Sequence, residues 1–235
     1  MRKYALTIIG LVLLCLLAAL GTAIVSANTY TVNTTDDTDD GTCDGTHCSL
    51  REAINAANSN SGSDTIAFNI PTSDSGYQVG VTGTWTISLT SSLPTLTDDA
   101  TIISGTTQAA NQGNLNTDGP EIEISGASLS GAHCLFILSS SNVVHGLVIN
   151  RCPLGGVVIL GTGTDYNAVS GNYIGTNASG SSVLGNKTGV MIGDGAQGNV
   201  VGGDSPEERN VISGNTQNGV YIFNDNADGL SLIHI

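Results

Sequence analysis

From residue 142 onward, apolar residues come in runs of four to six, such as Gly146-Leu-Val-Ile149, Val157-Val-Ile-Leu160 and Val220-Tyr-Ile-Phe223, each broken by Gly, Asn, Ser, Thr or Asp. No helical period links the runs, so they predict short strands and turns. Two phrases recur among them. Asn-x-(Val/Ile)-x-Gly stands at Asn142-Val-Val-His-Gly146, Asn167-Ala-Val-Ser-Gly171, Asn199-Val-Val-Gly-Gly203 and Asn210-Val-Ile-Ser-Gly214. Gly-x-x-Ile begins at Gly156, Gly189 and Gly219, recurring after 33 and then 30 residues. A period of that length predicts a solenoid whose stacked units share one core.

Three strand segments align in each unit: 142–146, 147–150 and 156–160 in the first, 167–171, 172–175 and 189–192 in the next, then 199–203, 210–214 and 219–223. Parallel strands joined without crossover helices predict an all-β fold, a three-sided parallel β-helix. A weaker unit precedes these at Thr101-Ile-Ile-Ser-Gly105, Glu121-Ile-Glu-Ile-Ser125 and Cys134-Leu-Phe-Ile-Leu138. Alternating segments at 64–70 and 84–89 place the start of the stack near residue 64. The recurrent Asn suits a turn, because its amide both donates and accepts and it tolerates left-handed backbone. A structural role is therefore expected for it.

One amphipathic helix is expected before the stack. Ser49-Leu-Arg-Glu52 is a capping box, and Leu50, Ala53, Ile54 and Ala57 form one apolar face. Its evident task is to cover the open end of the first unit. Upstream, residues 1–27 have the basic start, apolar run and small-residue end of a secretory leader cleaved after Ala27.

Composition sharpens the expectation of export. Without the leader, four basic residues (Arg51, Arg151, Lys187 and Arg209) face twenty acidic ones, a formal charge of −16. This balance argues against nucleic acid, and against acidic polysaccharides unless a cation mediates. Four cysteines outside the leader predict two disulfides, Cys43 with Cys48 and Cys134 with Cys152. Aromatic content is 4%, leaving Trp85 and Tyr173 as local stacking candidates.

The string Cys48-Ser-Leu-Arg-Glu-Ala-Ile-Asn-Ala-Ala-Asn58, preceded by Thr31-Val-Asn-Thr-Thr-Asp-Asp37 and followed by Asp64-Thr-Ile-Ala-Phe-Asn-Ile-Pro71, resembles the CSLREA domain of bacterial surface and secreted proteins. Gly146-Leu-Val-Ile-Asn150, Gly171-Asn-Tyr-Ile-Gly-Thr176 and Arg209-Asn-Val-Ile-Ser-Gly-Asn215 resemble right-handed parallel β-helix repeats of the pectate-lyase-like superfamily. The resemblance implies a right-handed solenoid and an exported bacterial location, and transfers no catalytic residue. The expected organisation is a leader at 1–27, a CSLREA-like segment at 28–63, β-helix at 64–229, and an atypical, truncated end at 230–235.

Two functions follow as expectations. One is a secreted or surface scaffold, adhesin-like and monomeric, meeting an extracellular partner or polysaccharide without membrane insertion. The other is a polysaccharide lyase or glycoside hydrolase, which needs paired carboxylates, or a base with a cation. Asp165, Asp194 and Asp204 are the catalytic candidates, each better explained as a turn residue. His133 and His145 have no sequence neighbour that would make a nucleophile. Asp36-Asp-Thr-Asp-Asp-Gly-Thr-Cys-Asp44 resembles half a calcium loop, with Asp36, Asp37, Asp39 and Asp40 as ligands, but its twelfth place is His47 rather than Glu. No other cofactor is expected.

Overall fold

The computed structural model describes residues 26–79, 83–224 and 227–233. The leader expectation falls mainly on residues 1–25, which lie outside this set. The described chain is mostly β, in three parallel sheets. The first sheet holds β1 (Thr29–Val32), β2 (Thr65–Phe68), β4 (Ile102–Ser104), β7 (Val143–His145), β10 (Ala168–Ser170), β13 (Val200–Gly202) and β16 (Ser231–Ile233). The second holds β3 (Trp85–Ser88), β5 (Ile122–Ser125), β8 (Leu147–Asn150), β11 (Tyr173–Ile174) and β14 (Val211–Ile212). The third holds β6 (Leu135–Ile137), β9 (Gly155–Leu160), β12 (Thr188–Gly193) and β15 (Asn218–Phe223). From β4 onward the chain visits the sheets in fixed rotation. Leu96, which bridges Ile137 in parallel, supplies the third-sheet position before β4.

Register explains both repeated phrases. Val144, Val169 and Val201 pair in a column below Ile66 and Ile103, so the central apolar residue of the Asn phrase always faces inward. Ile159, Ile192 and Ile222 pair in a second column headed by Ile137, which accounts for Gly-x-x-Ile. Ile87, Ile124, Ile149, Ile174 and Ile212 make the third. Except for Ile212 and Ile222 in the last circuit, these side chains are at most 1% exposed. Each full burial contributes about 1.5–3 kcal/mol.

Asparagines hold the corners in three ladders. Before the first sheet, Asn167 Oδ1 accepts from Asn142 N (2.8 Å) and Nδ2 (3.0 Å), and Asn199 Oδ1 accepts from Asn167 N (2.8 Å) and Nδ2 (3.1 Å). Before the second, Asn210 Oδ1 takes the same two donors of Asn172, at 2.9 and 3.3 Å. Before the third, Asn215 Oδ1 takes those of Asn186, at 3.2 and 3.0 Å. Except in Asn142, whose Nδ2 donates to Ser139 Oγ, each Nδ2 also donates to a backbone carbonyl, as Asn167 does to Ser139 and Asn199 to Thr164. The amides therefore satisfy backbone that the corner buries.

The helix α1 (Leu50–Asn58) forms with its expected capping box: Glu52 N donates to Ser49 Oγ (3.2 Å) and Ser49 N to Glu52 Oε2 (2.8 Å). Leu50, Ala53, Ile54 and Ala57 are buried, against β1 and β2. Both expected disulfides are present, Cys43–Cys48 and Cys134–Cys152, the second tying neighbouring circuits at the entry to the third sheet.

Three features differ from expectation. The first sheet begins at β1, ahead of α1, rather than near residue 64, because Tyr30 and its neighbours pair in parallel with β2. A short helix α2 (Thr106–Gln112) crosses between the first two sheets. Buried Gln108 anchors it, exchanging two hydrogen bonds with the backbone of Ile70. Residues 231–233, in the segment expected to be irregular, form β16, which pairs in parallel with β13.

Two substitutions test this account. Ile54→Asp places an unpaired carboxylate in the α1 contact and should lower stability by about 2–4 kcal/mol in chemical denaturation. Asn167→Ala orphans Asn142 N and Ser139 O and should cost about 2–4 kcal/mol. An unchanged unfolding midpoint in Asn167→Ala would mean the ladder is not what holds the corner.

Candidate functional site

The corner between the first and second sheets bears a groove of about 520 Å³. Its floor is a run of glycines, Gly105, Gly146 and Gly171, which the close approach of successive circuits demands. A Cβ on Gly105 would lie 2.0 Å from the Gly146 carbonyl. Along its walls stand Thr106, Asn114, Glu121, His145, Tyr173, Glu207 and Arg209. Tyr173, on β11, is half-buried and donates its hydroxyl to the Asp118 carbonyl (2.8 Å). His145, which ends β7, sets Nδ1 3.0 Å from the Ser170 carbonyl and 3.1 Å from Ser170 Oγ.

Glu121 is the unusual wall residue, only 3% exposed. Residues 113–120 fold over it, with the Leu115 and Asn116 amides donating to Oε1, while Oε2 is buried without a hydrogen-bond partner. Burial outweighs the two amides and holds its pKa above the ordinary carboxylate value. Glu207 is exposed. Its own backbone amide and the Ser205 hydroxyl hold its pKa below the ordinary value. The two acids of the groove are thus displaced in opposite directions. Arg209 is exposed and makes no ion pair among the described residues.

The structure does not assemble Asp165, Asp194 and Asp204. Asp165 and Asp194 lie in connections from the third sheet to the first, whereas Asp204 lies between the first and second. Asp165 Oδ1 accepts from Gln197 N (2.7 Å), and Asp194 adopts φ 55° and accepts from Asn224 Nδ2, as turn residues do. Lys187 is exposed in a separate depression beside His133, Met191 and Tyr221. There His133 Nδ1 accepts from Gly155 N (2.9 Å), and burial holds its pKa below the ordinary histidine value. Trp85 is fully buried and bonded to the Pro71 carbonyl, so it is no stacking platform.

The acidic loop before α1 is divided rather than convergent. Asp37 forms a bidentate pair with Arg51 (2.8 Å) and accepts from Thr90 N (2.7 Å), which pins the loop to the stack. Asp39 accepts from Asn55 Nδ2 (2.9 Å) and Gly41 N (3.0 Å). Asp36 and Asp40 turn instead to His47, whose Nδ1 also lies 2.9 Å from Glu52 Oε2. Burial opposes charge on this ring, yet Asp36, Glu52 and Asp40 together hold its pKa above the ordinary histidine value. Among the described residues, Asp40, His47 and Glu52 form the one group of three side chains whose donor atoms, all within 4.8 Å of one another, could share a metal ion.

Comparison of the chain with models of known protein families, with curated proteins and with solved structures finds no match.

The Glu121 environment sets a pH dependence. Its folded pKa is raised, so the stability this group confers is complete below its ordinary value of 4.5. That contribution is lost as pH rises toward the folded value. Glu121→Gln lacks the loss, and its melting temperature relative to the parent should climb between pH 4 and pH 7. A constant difference across that range would show that the carboxyl ionises normally.

Proposed function

We propose that this chain is an exported right-handed parallel β-helix of the CSLREA type, acting at or beyond the bacterial surface as a stiff, non-catalytic, adhesin-like scaffold that contacts neutral glycan. The observation carrying the reading is the groove itself. One corner, repeated in successive circuits, makes a channel that runs along the stack, as an extended chain of sugars requires. Tyr173 offers an apolar face, while Asn114, His145 and Arg209 offer polar groups suited to hydroxyls. The rotation of strands among three parallel sheets supports the solenoid. Two disulfides support an oxidising compartment, and the acidic surface supports neutral over anionic sugar.

The scaffold reading rests also on how the candidate carboxylates are used. Asp165 and Asp194 are committed to turns, and among the described residues neither pairs with a basic side chain. A glycan array followed by calorimetry on the purified chain tests the reading. Binding to a neutral oligosaccharide is expected, weakened at least about tenfold, or 1.4 kcal/mol, by Tyr173→Ala or Arg209→Ala. Pectin, alginate, chondroitin and neutral glycans should remain uncleaved with or without calcium. New reducing ends or unsaturated uronates that vanish in Glu121→Gln or Glu207→Gln would instead establish the enzyme.

A further inference from the structure

The two nitrogens of His47 are held differently. Nε2 faces the Asp36 carboxylate, at 3.1 Å from Oδ2 and 3.2 Å from Oδ1, with Thr38 Oγ1 at 3.3 Å. A ring nitrogen so close to a carboxylate carries a proton, since two acceptors would repel. Nδ1 faces carboxylates as well, so without a metal ion both nitrogens carry protons, and a bound ion would displace the one on Nδ1. That atom points at Glu52 Oε2 (2.9 Å) and Asp40 Oδ2 (3.6 Å). It is sealed from solvent, yet neither approach has the direction of a hydrogen bond. A proton on Nδ1 is therefore misaligned with both oxygens, whereas a metal ion in its place would be shared by three donor atoms.

We propose that Asp40, His47 and Glu52 form a zinc site, with Asp36 as the positioning residue that orients the imidazole from behind. The donor set favours a borderline divalent ion such as zinc, an imidazole nitrogen with two carboxylates suiting it, over calcium and magnesium, which take oxygens alone. Tetrahedral ligands about 2.0–2.2 Å from an ion lie about 3.3 Å apart, between the two separations that Nδ1 already makes. Glu52 is the fixed member. Its side chain is 1% exposed, with Oε1 accepting from Asp40 N (2.7 Å) and Oε2 from Ser49 N (2.8 Å). The Asp40 side chain is 61% exposed, with Oδ1 accepting from Thr42 N (3.1 Å) and Oδ2 turned toward the ring. The Asp36–His47 contact has the form of the outer carboxylate that fixes a metal-bound histidine. Zinc here joins the acidic loop to α1, so its effect is on the end cap rather than on the groove.

The test uses the purified chain, disulfides intact and stripped with a chelator. Zinc alone should bind once per chain by calorimetry and raise the melting temperature, and cobalt should give the visible absorption of a four-coordinate ion. Asp36→Asn should weaken zinc about 10- to 100-fold, and His47→Gln should abolish one-site binding. Asp39→Asn, whose carboxylate faces Asn55, should bind as the parent does. Absence of zinc binding by the parent, or binding unaltered in His47→Gln, overturns the proposal. So does stabilisation by calcium that Asp39→Asn removes. Should His47→Gln fail to fold, the cobalt spectrum of the parent decides: six-coordinate, oxygen-only character refutes the site.

Discussion

Everything in this molecule depends on satisfying the backbone at corners that are buried on both sides. A strand in mid-sheet gives its amides and carbonyls to the neighbours above and below. A chain that leaves one sheet for the next breaks that pairing where water is excluded, and each unsatisfied group there costs about 1–3 kcal/mol. The asparagine amide meets both needs. Its oxygen takes the backbone and side-chain donors of the preceding asparagine, and its nitrogen reaches a carbonyl in the preceding circuit. Because Asn167 both accepts from Asn142 and donates to Asn199, a change at one corner propagates to the next.

With the corners fixed, the columns of Val and Ile need only be apolar and branched, and the sequence between columns is free to vary. That freedom is used unevenly. In the connections from the third sheet to the first it supplies turn residues such as Asp165, Tyr166 and Asp194, whose positive φ or backbone contacts leave little for chemistry. Between the first and second sheets it supplies α2, the loop over Glu121, and the one-turn 3₁₀ helix Pro206–Glu208. These inserts raise the walls of the groove. The groove is therefore a consequence of where insertions were accepted.

The strands and the columns were legible because period and phrase are local properties of the chain. The ladders were half legible. The repeated Asn phrase pooled Asn142, Asn167 and Asn199 with Asn210, which belongs to a different corner. It also missed Asn172, Asn186 and Asn215, whose surroundings lack the phrase. β1 was hidden because four residues give no period, and α2 because Thr106-Thr-Gln-Ala-Ala-Asn-Gln112 has no apolar face. Its anchor is a polar residue, Gln108, meeting backbone 38 positions away. Glu121 carries no local sign of its burial, which comes from residues 113–120 closing over it. For His47 the signal was present but inverted: at the twelfth place of an acidic loop it counted against calcium, when it was the centre on which Asp36, Asp40 and Glu52 converge.

The two ends of this reasoning meet in α1. A capping glutamate ordinarily completes its task by accepting the N-cap amide, and Glu52 does so with Oε2. Here Oε1 also takes the Asp40 amide, so the same carboxylate fixes the loop that carries Asp40 to the helix that packs on β1 and β2. Asp37 and Arg51 make a second, independent tie, and the Cys43–Cys48 ring a third. These ties hold the His47 ring at a fixed depth beside Glu52, and that fixed depth distinguishes this cluster from the other acidic turns on the surface.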